Sequence, residues 1–163
     1  MQQIGPLLLP DAQATRALGE RLARLVAPGD LVILSGPLGA GKTTLTQGLG
    51  AGLGVRGRVA SPTFIIARVH PHPGDGPALV HVDAYRITSL DDLETLDLEA
   101  SLPESVTVVE WGEGKVEALA ESRLEIRLDR GAGAAPDAEA EPRTVTITAV
   151  GPRWRSLAKE DLQ

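Results

Sequence analysis

The 163-residue chain contains no cysteine, which excludes disulfides, thiolate nucleophiles and cysteine zinc sites together and suits a reducing cytosol. Aromatic side chains are nearly as scarce, with one Phe, one Tyr and two Trp. Because 42% of residues are apolar, the interior has to be assembled from Leu, Val, Ile and Ala. Positive charge is also short: 16 Lys and Arg stand against 22 Asp and Glu, for a formal net charge of −6. A protein that grips nucleic acid unaided carries a basic stripe. DNA is therefore not an expected partner, and contact with RNA is expected to be local or mediated by another protein. No apolar run approaches the roughly 18–20 residues of a membrane span. Met1-Gln2-Gln3-Ile4 lacks the basic region that opens a secretory signal. The expectation is a cytoplasmic protein with no membrane partner, and one domain over residues 1–163 with no room for a second full core.

Residues 11–26 read as an amphipathic helix, with Ala14, Leu18, Leu22, Leu25 and Val26 at helical spacing, Asp11 as cap and Pro28-Gly29 as stop. Leu31-Val32-Ile33-Leu34 is the continuous apolar run of a strand buried on both faces. A glycine-rich turn follows, then a helix over about 42–53. Gly48, Gly50 and Gly52 should weaken that helix by about 1 kcal/mol each relative to alanine, so that its end frays. Residues 63–69 and 79–82 are β-branched strands separated by a proline-rich hairpin loop, 71–77. Ser89 with Asp92 makes a capping box before Leu90, Leu93, Leu96 and Leu98. A second fully apolar strand is expected at 106–109, a short helix near 115–120, and alternating strands at 123–129 and 144–150. The Ala/Gly/Pro/acid-rich segment 131–142 reads as a flexible loop. Strands alternating with helices, together with hairpins, indicate an α/β protein with a mixed, partly antiparallel central sheet flanked by helices in three layers.

Gly36-Pro37-Leu38-Gly39-Ala40-Gly41-Lys42-Thr43 matches the phosphate-loop pattern G-x-x-x-x-G-K-S/T. Glycines let the chain wrap an anion with its N–H groups turned inward, and the helix that follows presents its positive N-terminal end. Lys42 has the reach for β- and γ-phosphates, the Thr43 hydroxyl is a magnesium ligand, and Thr44 is placed for the α-phosphate. The bland alternative is a glycine turn joining strand to helix.

Such a site needs a carboxylate for the magnesium shell and a group that positions the attacking atom. Val106-Thr107-Val108-Val109 runs into Glu110, and Leu79-Val80-His81-Val82 runs into Asp83. Ligands of open α/β sheets lie beyond the carboxyl ends of strands, so both acids are candidates to converge on Lys42 and Thr43, against the alternative that either merely starts a solvated turn. In Ser61-Pro62-Thr63-Phe64, the proline stiffens a turn that hands Thr63 to a strand. Thr63 is a candidate sensor of the γ-phosphate, against a plain turn opening a strand. Phe64, Tyr85 and Trp111 each lie within two residues of a candidate site residue. The histidines carry less: His70 and His72 lie in a proline-rich loop without ligand spacing, His81 alternates within a strand in a structural position, and a zinc site is not expected.

Guanine-specific proteins of this loop class read the base with Asn-Lys-x-Asp, and this chain has no asparagine. ATP is therefore favoured over GTP. Arg153 and Trp154 are candidates to stack on the base, against simple surface packing of the tryptophan.

The ordered set of Gly36 to Thr44, Ser61-Pro62-Thr63-Phe64, His81-Val82-Asp83-Ala84-Tyr85-Arg86 and Val109-Glu110-Trp111-Gly112-Glu113 resembles the TsaE (YjeE) family. The likeness runs from the first helix to Gly151-Pro152-Arg153-Trp154. It implies an ATPase subunit of bacterial tRNA threonylcarbamoyladenosine synthesis that binds ATP or ADP with Mg2+, acts with the TsaB–TsaD pair, touches tRNA only indirectly, and hydrolyses ATP to reset the complex. By the same resemblance, Lys42 and Thr43 bind phosphate and magnesium and Glu110 joins the magnesium shell. Asp83 and Thr63 line the γ-phosphate side, and Trp111 packs beside Glu110. The proline-rich insert 71–77 and the acidic loop 131–142 depart from the family pattern outside its motifs. Two other classes stay open on residues alone: a small-molecule kinase, which normally carries an arginine-rich lid that neither insertion supplies, and a nucleotide-gated binding module with incidental hydrolysis.

Overall fold

A computed structural model describes residues 1–37, 39–57, 59, 67–84, 98–111, 116–130 and 142–163. Seven strands form one sheet: β1 (Gln2–Leu9), β2 (Leu31–Ser35), β3 (Ala67–His70), β4 (Ala78–Asp83), β5 (Ser105–Glu110), β6 (Arg123–Arg130) and β7 (Arg143–Val150). Their order is β1-β7-β6-β2-β5-β4-β3. The central four, β6, β2, β5 and β4, are parallel, and antiparallel strands complete both sides. This is the mixed α/β sheet expected from the sequence, with β2 in the middle.

Two helices, α1 (Ala12–Leu25) and α2 (Lys42–Leu53), lie together on one face. The Asp11 side chain caps α1, accepting a hydrogen bond from the Ala14 N–H at 2.8 Å, which ties off one of the four N–H groups a helix start leaves open. Leu18 and Leu22 of α1 and Leu45 and Leu49 of α2 pack on Val32, Leu34, Val106, Val108, Leu124, Ile126 and Leu128. The other sheet face presents Leu31, Ile33, Val80, Val82 and Val109, covered by Leu98, Leu102 and Val116 from short helical turns. All six residues of β5 are buried and so are Leu31 to Leu34, because both strands run between two covered faces.

Glycines also set the contact between α1 and α2. A Cβ on Gly48 would lie 2.0 Å from the Arg16 carbonyl oxygen, and one on Gly19 of α1 would lie 2.2 Å from that of Leu45. The two helix backbones meet at these glycines. The helix holds to Leu53 and ends at Gly54 in the left-handed conformation (φ 78°).

Strand β1 has no counterpart among the expected elements. Gly5-Pro6 interrupts its alternation, only Ile4 and Leu9 are buried, and its register with β7 shifts between Ile4 and Leu7. The 3–10 turns Pro152–Trp154 and Lys159–Leu162 were likewise not expected, and they seat Trp154, Leu157 and Leu162 in the core. Among the other expectations, the hairpin of β3 and β4 around 71–77 is present and a 3–10 turn at Glu117–Leu119 replaces the short helix. Residues 63–66, the capping box at Ser89 and Asp92, and the loop 131–141 lie outside the described residues. No helix among the described residues is long and apolar enough to cross a membrane.

Candidate functional site

The site forms where β2 gives way to α2. Gly36 is buried with φ 136°, and a Cβ there would come within 2.0 Å of the Leu128 carbonyl oxygen, so the chain can leave β2 beside β6 only with glycine. Gly41, φ 104°, precedes the first residue of α2. No side chain caps this helix and its first turn carries no acid. The positive end of α2 is therefore unneutralised by its own sequence, as an anion site requires.

Lys42 is the first residue of α2 and its side chain folds back over the loop. Its Nζ donates to the carbonyl oxygens of Gly36 at 2.8 Å and Pro37 at 3.0 Å, and lies 4.3 Å from the centre of the Trp111 ring. Trp111 follows β5 with φ 62°, unusual for a bulky side chain, while its N–H donates to the Leu34 carbonyl at 2.9 Å. The strained turn thus sets the indole beside the lysine. Burial pushes the Lys42 pKa below its ordinary value, an effect opposed by the carboxylates of Glu110 and Asp83 and assisted by Arg127. Both acids predicted to face the loop are therefore within electrostatic reach of the lysine.

The register explains their convergence. Parallel pairing of β4 with β5 sets Asp83 beside Glu110 and His81 beside Val108. Residues 81, 83, 108 and 110 share one sheet face, the α2 side, since side chains alternate along each strand. Glu110 is buried and its Oε2 lies 2.5 Å from His81 Nε2, with His81 itself inaccessible to solvent. Asp83 is partly exposed. Thr43 and Thr44 are half-buried in the first turn of α2, and Ala40 is buried with its N–H donating to the Pro37 carbonyl at 3.1 Å. Gly39 is exposed, and its carbonyl oxygen accepts from Arg143 Nη2 at 3.2 Å, a clasp from the start of β7.

Thr43, Glu110 and Asp83 offer only oxygen, the donor type that suits magnesium, which binds through one or two carboxylates and keeps several waters. These residues fit the ion. No cluster of three or more His, Cys, Asp or Glu with the arrangement of a metal cage occurs among the described residues.

Of the residues singled out in the sequence, Gly36, Gly39, Ala40, Gly41, Lys42, Thr43 and Thr44 belong to the one loop-to-helix unit, with Asp83, Glu110 and Trp111 converging on Lys42. Leu38, Thr63 with Phe64, and Tyr85 with Arg86 lie outside the described residues. The candidates for base stacking are a correction. Arg153 donates to the Leu25 carbonyl at 2.7 Å and to Asp30 at 3.2 Å, just before β2 begins, and Trp154 is buried beneath it. Both sit at the opposite end of β2 from the loop, and Trp154 is core rather than surface. His70 also differs from its expected loop position, being buried at the end of β3, whereas His72 accepts from the Gly74 N–H within the hairpin loop. His81 and Arg143 were missed as site residues. For His81 the signal was its parity with Asp83; for Arg143, separated from Gly39 by more than 100 positions, there was none.

Comparison with known proteins points to one family. A family profile described as "Threonylcarbamoyl adenosine biosynthesis protein TsaE" matches residues 9–136. A Streptomyces coelicolor protein named tRNA threonylcarbamoyladenosine biosynthesis protein TsaE is 66% identical over 140 residues, covering 85% of this chain and 93% of its own. A Bacillus subtilis protein of the same name is 38% identical over 150 residues, 91% of this chain and 87% of its own. The crystal structure of Bacillus subtilis YdiB superimposes with a TM-score of 0.73 at 32% identity, covering 98% of this chain and 94% of that one.

Proposed function

The chain belongs to the TsaE family, and from that premise we propose that it binds ATP with magnesium at residues 36–44 and hydrolyses it in support of threonylcarbamoylation of adenosine 37 in tRNAs that read codons beginning with A. The observation that carries this reading is the approach of Glu110 and Asp83 to Lys42 at the uncapped start of α2.

In this reading the Lys42 ammonium leaves the Gly36 and Pro37 carbonyls for the β- and γ-phosphate oxygens, and the N-terminal amides of α2 hold the polyphosphate. Thr43 and Glu110 hold the metal, which when bound neutralises charge on the transferring phosphoryl group. Asp83, beside Glu110 on the next strand, orients the attacking water. Water adds to the γ-phosphorus as its bond to the bridging β–γ oxygen breaks, giving ADP and inorganic phosphate, with the water's proton passing to phosphate. Family resemblance supplies the partners: in the TsaB–TsaD pair TsaD transfers the threonylcarbamoyl group, and hydrolysis here resets that complex between turnovers. The net negative charge fits a subunit that reaches tRNA through other proteins.

The test is ATP turnover by the purified chain with and without TsaB–TsaD. Slow hydrolysis alone and clear stimulation by the pair are expected, since a cation supplied by a partner is worth about 10³–10⁵ in rate in related chemistry. Turnover that saturating TsaB–TsaD leaves unchanged would reject the partner-activated reading.

A further inference from the structure

The contact between His81 and Glu110 is buried on both sides. His81 has no solvent exposure and Glu110 is 5% exposed. A carboxylate withdrawn from water needs donors, and His81 Nε2, at 2.5 Å from Oε2, is one. The other ring nitrogen, Nδ1, is buried and has no partner among the described residues. A proton on Nε2 meets a carboxylate oxygen. With Glu110 ionised, as a metal-holding carboxylate is, this contact requires the proton on Nε2.

The ring is also fixed in direction. His81 is an interior residue of β4, paired with Arg68 on one side and Val108 on the other, and the flanking Leu79 and Val108 are fully buried. A side chain so enclosed holds one orientation, and through it one Glu110 oxygen is held too.

Building on the ATP–magnesium reading of the site, we infer that His81 is a positioning residue for Glu110: its Nε2–H pins Oε2 so that Oε1 is left for the metal and the γ-phosphate side, without His81 itself touching nucleotide. A purely structural His81 would only fill space in the sheet, and any side chain of similar volume would then serve. A positioning His81 requires an N–H at the place of Nε2. A glutamine amide nitrogen reaches about that place, whereas an asparagine amide reaches only about as far as Nδ1.

The experiment is calorimetric titration of Mg2+ into the full-length chain preloaded with the non-hydrolysable analogue adenosine 5′-(β,γ-imido)triphosphate, with metal-free binding of the analogue measured alongside. Loss of a hydrogen bond that orients a metal-binding carboxylate typically costs about 10–100-fold in metal affinity. His81→Leu is expected to weaken Mg2+ binding by that amount while leaving metal-free analogue affinity within about twofold. His81→Gln is expected to return Mg2+ affinity to within about threefold of the parent. Wild-type Mg2+ affinity in His81→Leu, or equal losses in the Leu and Gln variants, overturns the inference. Should His81→Leu fail to fold, the Gln and Asn variants decide: higher Mg2+ affinity in Gln supports the role, and equal affinities overturn it. If the unmodified chain takes up no analogue, the ATP reading itself falls, and the inference with it. That outcome is distinct from a parent that binds and variants that match it.

Discussion

The ammonium of Lys42 lies 4.3 Å from the centre of the Trp111 ring while donating to the Gly36 and Pro37 carbonyls. One cation therefore stabilises both the loop and the indole, and a polyphosphate would compete for it. Mg-ATP is expected to change Trp111 emission, because the charge beside the ring moves. Lys42→Ala should lose charge-assisted hydrogen bonds of about 1.5–3 kcal/mol, a weakening of roughly one to two orders of magnitude in ATP affinity. Fluorescence titration and calorimetry check this, and unchanged affinity would place the phosphates elsewhere.

Glu110→Gln separates binding from hydrolysis. The amide keeps the shape and an oxygen for His81 but loses the charge. Nucleotide affinity should stay within about tenfold, while single-turnover hydrolysis in the presence of TsaB–TsaD falls by about 10–100-fold, the usual range for disturbing a metal-holding carboxylate. If tRNA modification in cells survives the change undiminished, hydrolysis is not the working step and the chain acts as a nucleotide-gated binder.

Gly48→Ala sets helix propensity against packing. In an exposed helix the change would stabilise by about 1 kcal/mol. Here the added carbon meets the Arg16 carbonyl oxygen at 2.0 Å, a backbone atom that cannot rotate aside. Separation of α1 from α2 should cost about 1–3 kcal/mol, as overpacked sites do. Urea denaturation reads the sign, and a raised midpoint would mean the helices part at little cost.

His70 gives the fold a pH dependence. Burial pushes its pKa below the ordinary imidazole value; His81 and Arg68 push the same way, against a backbone hydrogen bond at Arg56. With the folded value below the unfolded one, the unfolded chain takes up a proton first on acidification. Stability from this residue is complete above about pH 6.5 and is lost as pH falls from there through the folded value. Wild type should therefore lose more melting temperature than His70→Gln between neutral and mildly acidic pH. Parallel curves for the two would refute it.

The central part of this molecule is written locally. Leu31 to Leu34, the glycine loop and Lys42 each state their conformation within a few residues, and β2, the loop and α2 appear where those residues say. Glu110 and Asp83 were legible because each ends an apolar run at a strand terminus. His81 was harder, since its partner is 29 positions away and becomes visible only when β4 and β5 pair in parallel with Asp83 opposite Glu110. Arg143 and Arg153 make hydrogen bonds across more than 100 residues, which no local pattern encodes. Strand β1 escaped because Gly5-Pro6 breaks the alternation that marks a strand.

That interruption also affects how molecules meet one another. Strand β1 borders the sheet with β7 as its neighbour in the sheet order, and Pro6 has no N–H to offer while the ladder slips between Ile4 and Leu7. A second molecule approaching this margin finds a broken row of donors rather than a continuous template. Intermolecular strand addition, a route to aggregation for open sheets, is thereby discouraged at the same place where the sequence looked least like a strand.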